Sequence, residues 1–181
     1  MKKAILLLCL LVPMMANAGF LAGLIALSKY SGSTIEINGI LYASSSQDFI
    51  ELGPVKLILS NNNNKITIHI DEDGLLSIVT KNTSLPKSRC SVSDESSDYT
   101  YSYLINCNNP DIGILYMQDK DDSQPKIAIG FRNINKMFVV KPLSIEAYNS
   151  EGKPLYDDGT KADCGTIRAW FEYVTSHWKN N

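Results

Sequence analysis

Between residues 34 and 148 apolar side chains recur at every second position, and near the end of the chain they recur at every third or fourth. That change of period constrains the fold more than any other feature. Side chains alternate across a strand and line one stripe of a helix, so the pattern predicts a sheet followed by a packed helix. The clearest stretch is Lys65-Ile66-Thr67-Ile68-His69-Ile70, with the isoleucines on one face and Lys65, Thr67 and His69 on the other. Asp71-Glu72-Asp73-Gly74 supplies turn chemistry and residues 75–80 return, which predicts a hairpin.

The remaining strands are read by the same rule. Residues 34–42 alternate through Ile35 and Ile37 until Gly39, which marks a bulge or turn. Residues 43–48 form a polar loop, and 49–52 are too short to assign. Gly53-Pro54 predicts a turn before a strand at 55–59, and the asparagine run 61–64 joins two strands. The longest polar stretch, 81–98, holds Pro86, Cys90 and an acidic, serine-rich run, and reads as a loop. Tyrosines alternate with hydroxyl residues at 99–105, a strand pattern. Residues 112–118 and 126–132 make a second hairpin. Two short strands, 137–140 and 144–148, flank Lys141-Pro142, and 149–163 is loop.

At 166–178 the apolar positions are Ile167, Trp170, Phe171, Val174 and Trp178, one stripe of a helix that Asp163 or Thr166 can cap. The expected fold class is therefore α+β: eight or nine mostly antiparallel strands, as a sandwich or half-barrel, with a C-terminal amphipathic helix packed on them. One globular domain spans 34–181, preceded by an apolar arm at 19–33.

The first 18 residues read as a secretory leader. Lys2 and Lys3 open it, an apolar run follows, and Ala16-Asn17-Ala18 offers a cleavage site after Ala18. The destination is then the periplasm or the exterior. If the leader stays, the apolar run from Ala4 to Leu27 is long enough to span a bilayer, and the chain becomes a membrane-tethered structural subunit. Cleavage would take 17 basic residues to 15 against 19 acidic ones, a net charge of −4. The basic residues are scattered, so no nucleic-acid footprint is expected.

Past the leader there are three cysteines, Cys90, Cys107 and Cys164, and in an oxidising compartment two should pair. Cys90–Cys107 is the favoured pairing, with Cys107–Cys164 and Cys90–Cys164 as the alternatives. A free Cys164 ahead of a helix N-terminus would be a candidate nucleophile. It needs a histidine base, and the chain offers only His69 and His177.

No catalytic site, metal site or cofactor is expected. Two distant histidines and paired cysteines do not make a zinc site. The acidic clusters at 71–74 and 119–123 lack the spacing of a calcium loop. Nucleophile-elbow, phosphate-loop and dinucleotide motifs are missing from the sequence. The expected function is an exported binding protein, such as an inhibitor, an immunity protein or an assembly accessory, with another protein as partner. Its candidate contact surface is Asp94, Glu95, Asp98, Tyr99, Tyr101 and Tyr103. A secreted hydrolase with an unpatterned site is the alternative from another class.

Overall fold

The computed structural model describes residues 26–44, 48–62, 64–72, 82–122 and 124–179. The leader, most of the apolar arm and the return strand at 75–80 lie outside these residues. The described strands are β1 (Thr34–Ser44), β2 (Phe49–Asn62), β3 (Lys65–Glu72), β4 (Asn82–Pro86), β5 (Cys90–Asp94), β6 (Thr100–Asn108), β7 (Asp111–Asp119), β8 (Lys126–Phe131) and β9 (Lys136–Tyr148). They form one sheet in the order β4-β3-β2-β1-β9-β8-β7-β6-β5, and every neighbouring pair is antiparallel. Two meanders, β1–β4 and β5–β9, are thus joined through β1 and β9.

The direction of the strands explains how the sheet closes. Three antiparallel steps lead from β1 to β4 and five lead from β1 to β5, so β4 and β5 run the same way. Only a 3₁₀ turn at Lys87–Arg89 separates them. Residues 82–94 behave as one strand that pairs with β3 in its first half and with β6 in its second. The two sheet edges meet at that turn, and the wall becomes a nearly closed barrel. Counting 82–94 as one strand gives eight strands in the described wall.

The loop expected at 81–98 is therefore corrected over much of its length. Thr83 and Leu85 point inward and are buried, while Asn82 and Ser84 point out. Hydroxyl residues on both faces hide this alternation, and the strand exists because it has a different partner on each side. Gly53-Pro54 is not a turn either. It lies within β2, where the register against β1 shifts between Leu41 and Tyr42 and Gly53 takes a φ of 129°. The two short strands expected around Lys141-Pro142 are one strand, β9.

Gly39 sits inside β1 at a bulge. The register against β9 shifts between Asn38 and Gly39, pushing Leu143 outward. A Cβ at position 39 would overlap the carbonyl oxygen of Lys141, so the two backbones approach closely only because the residue is glycine.

The helix, α1 (Cys164–Trp178), packs on the inward face nearest β5 and β6. Phe171 lies 5.3 Å from the ring of Tyr116, which is 6.0 Å from Tyr103, and Trp170 meets Phe171 edge-on at 5.2 Å. These rings and the inward isoleucines and leucines of the strands make one continuous core. The fold is accordingly a half-barrel wrapped on its own helix. Asp163 caps the helix by accepting from the Thr166 amide at 3.0 Å, and the Thr166 hydroxyl accepts from the Asp163 amide at 3.1 Å. Both expected caps thus act together as a capping box. At the other end Lys87 Nζ donates to the His177 carbonyl at 3.0 Å, placing a cation where the helix dipole is negative.

One end of the barrel is closed by the turn at residues 30–33. Asn61, in the asparagine run, is buried there. Its amide donates to the Tyr30 carbonyl at 2.9 Å, and its Oδ1 accepts from the Gly32 amide at 3.1 Å. The Tyr30 and Tyr156 hydroxyls lie 3.1 Å apart, and Tyr156 bonds Thr166 at 2.9 Å, linking the turn to the helix start. Asn61→Ala removes the buried bond to the Tyr30 carbonyl and leaves the part-buried Gly32 amide without its acceptor, and a loss of about 1–3 kcal/mol is expected in urea unfolding. An unchanged midpoint would mean that the backbone bonds of the turn, Ser33 and the tyrosine pair hold it without the Asn61 side chain.

Candidate functional site

The candidate contact residues lie along the β5–β6 hairpin, and the barrel sorts them by depth. Tyr99, Tyr101 and Tyr103 share a side of the chain by parity, but their burial differs. Tyr103 is in the core, where burial and then the Glu172 and Asp94 carboxylates push its hydroxyl up to about 12. Tyr101 is half-buried. Arg168 of α1 lies 4.3 Å from its ring centroid and Lys120 lies 5.0 Å from it. Tyr99 stands at the tip and is 80% exposed. The expected face is therefore only partly surface: Tyr103 packs the helix, and Tyr99 meets solvent.

The serines around Tyr99 hold the tip in one shape. Ser97 Oγ accepts from the Tyr99 and Thr100 amides at 3.2 and 3.1 Å. Ser96 Oγ accepts from the Ser102 amide at 3.0 Å, and the Glu95 amide donates to the Ser102 carbonyl at 2.8 Å. Asp94 accepts from the Ser96 amide at 3.0 Å. The Tyr99 carbonyl accepts from the Lys120 amide at 2.8 Å, tying the tip to the end of β7. Hydroxyl side chains that bond local backbone in this way favour turns over regular structure. Asp94, Glu95 and Asp98 are exposed on the same hairpin.

The chemistry-bearing residues do not assemble. Cys90 and Cys107 face each other across β5 and β6 and form a disulfide, which is compatible with an extracellular or periplasmic location. Cys164 is the free thiol, in the first position of α1. Burial raises its pKa and the Asp163 carboxylate raises it further, so the helix start does not hold it as a thiolate. His69 bonds Asn82 on the outer face, and His177 bonds the Tyr173 carbonyl within α1. Neither histidine is hydrogen-bonded to Cys164 among the described residues. Among the same residues no group of three histidine, cysteine or acidic side chains is placed to hold a metal ion, and no helix is long and apolar enough to cross a membrane.

No protein-family model matches the chain, and no curated protein matches it by sequence. Its function is therefore argued from this geometry.

Proposed function

We propose that this chain is an exported binding protein that presents the Tyr99 tip to another protein. An inhibitor, an immunity protein or an assembly accessory would each use such a module. The observation that carries this function is the exposure of Tyr99 at the apex of a turn whose hydroxyls are committed to its own backbone. A tyrosine carried on a turn of held backbone has only two side-chain torsions to lose on docking, and tyrosine is enriched among the residues that dominate interface energy. The acidic residues Asp94, Glu95 and Asp98 favour a partner with an aromatic-sized pocket and a basic rim, which would steer encounter electrostatically. Export is supported by the leader sequence and is compatible with the disulfide.

The test is quantitative capture from the native compartment after gentle chemical crosslinking, read by mass spectrometry. One stoichiometric protein partner is expected, and Tyr99→Ala should weaken its binding by about 2 kcal/mol or more, the scale of an interface hot spot. The variant should unfold at the wild-type midpoint, because its ring packs on nothing. Equal capture by wild type and Tyr99→Ala would remove the tip from the binding surface.

A further inference from the structure

On the outer wall, where β1, β9, β8 and β7 lie side by side, the outward side chains line an apolar groove of 380 Å³. The register builds it. Tyr42 pairs with Val139, Val139 with Ala128 and Ala128 with Leu115, giving one row across four strands. Met117 and Met137 flank the row, and both are exposed. An antiparallel sheet with one face on the core ordinarily turns polar side chains to water. Here Leu115 and Met117 of β7, Ala128 of β8, and Met137 and Val139 of β9, which line the groove, are apolar or small. Val139 is only 7% exposed, yet it stands apart from the main core and forms the floor of the groove.

Two lysines border this row. Ile127 pairs with Val140, so Lys126 and Lys141 flank that pair on the outward face of adjacent strands. Like charges in cross-strand positions repel. Lys141 Nζ lies 4.5 Å from the Tyr42 ring centroid, and the Tyr42 hydroxyl donates to Glu51 at 3.1 Å. Neither lysine forms a salt bridge among the described residues, although the chain as a whole has a net charge of −2. Two ammonium groups that form no salt bridge among the described residues, beside an apolar trough, make a site with a charged head position and a greasy tail position.

We propose that this groove binds a single-chain amphipathic anion, with its tail over Val139, Ala128 and Leu115 and its carboxylate or phosphate head between Lys126 and Lys141. The volume lies near the lower end of the range for small-molecule sites, roughly 300–1,000 Å³, which fits one slim tail. The anion would also relieve the repulsion between the lysines. This site lies on the outward face of β1, β9, β8 and β7 and does not depend on the Tyr99 tip.

The test is titration of the folded protein with dodecyl phosphate below its micellar concentration, followed by amide NMR shifts. Inorganic phosphate serves as the head-only probe and dodecyl maltoside as the tail-only probe. Dodecyl phosphate should shift the amides of Ala128, Val139 and Lys141, and each single-feature probe should bind about tenfold or more weakly. Lys126→Gln with Lys141→Gln should weaken dodecyl phosphate by about tenfold or more while leaving dodecyl maltoside unchanged, the scale of a charge-assisted hydrogen bond. Both lysines are exposed, so the fold should survive the change. Equal affinity for the phosphate and the maltoside, or no effect of the lysine changes, overturns the proposal. So does a concentration-dependent dimer that Met137→Glu disperses without dodecyl phosphate binding, since a second copy would then be the occupant.

Discussion

Trp170→Ala should cost about 3–5 kcal/mol in chemical denaturation, a large part of the roughly 5–15 kcal/mol that an ordinary domain has. Trp170 is fully buried, and it ends the run of rings Trp170, Phe171, Tyr116 and Tyr103 that joins α1 to the barrel. Its removal leaves a cavity between Phe171 and the inward isoleucines, and neighbours held in strands collapse into such a space only partly. A comparison variant separates volume from polarity. The indole Nε1 has no hydrogen-bond partner among the described residues. Trp170→Phe therefore keeps much of the ring contact and removes a buried donor that stabilises nothing, so it should cost clearly less than the alanine change. Guanidinium unfolding followed by far-ultraviolet circular dichroism would measure both. A loss under about 1 kcal/mol for Trp170→Ala would mean that the helix is not anchored by this side chain.

The helix was legible in the sequence because its apolar stripe, its cap and its change of period all agree. The same holds for β3, β7 and β8, where isoleucine alternates with polar or small residues. Residues 82–94 were not legible, since a strand that changes partner midway is defined by its neighbours. Its inward Thr83 and outward Ser84 carry the same hydroxyl chemistry, so polarity could not separate its faces. Gly39, Gly53 and Pro142 look like breaks in one dimension but mark bulges or register shifts inside long strands. The depth of Tyr99, Tyr101 and Tyr103 was likewise hidden. Parity puts them on one side, but only the position of the helix decides that Tyr103 is core and Tyr99 is free. The outer groove did leave a trace in Met137-Phe138-Val139-Val140, a continuous apolar run where a half-exposed strand would alternate. Such a run indicates that both faces are covered or meant to be covered.

Removal of the disulfide should have the other large effect. Cys90 opens β5 directly opposite Cys107 of β6, 17 positions away in the chain. β5 is five residues long, is an edge of the hydrogen-bonded sheet and follows the turn where the strand changes partner. It is held chiefly by its pairing with β6 and its contact with α1, so a crosslink at its first residue restrains it where it would fray. In the chain-entropy model a loop of this size contributes about 3 kcal/mol by restricting the unfolded chain. Reduction, or Cys90→Ala with Cys107→Ala, should lower stability by about 2–4 kcal/mol. Hydrogen exchange should quicken first in β5 and at Leu104 and Ile105 opposite it, while the β1–β9 pair in the middle of the sheet keeps its protection. That order is the informative part. A uniform loss across the barrel would mean that β5 unfolds only with the whole domain. The nearly closed wall would then be one cooperative unit, and the disulfide would act on the unfolded chain alone.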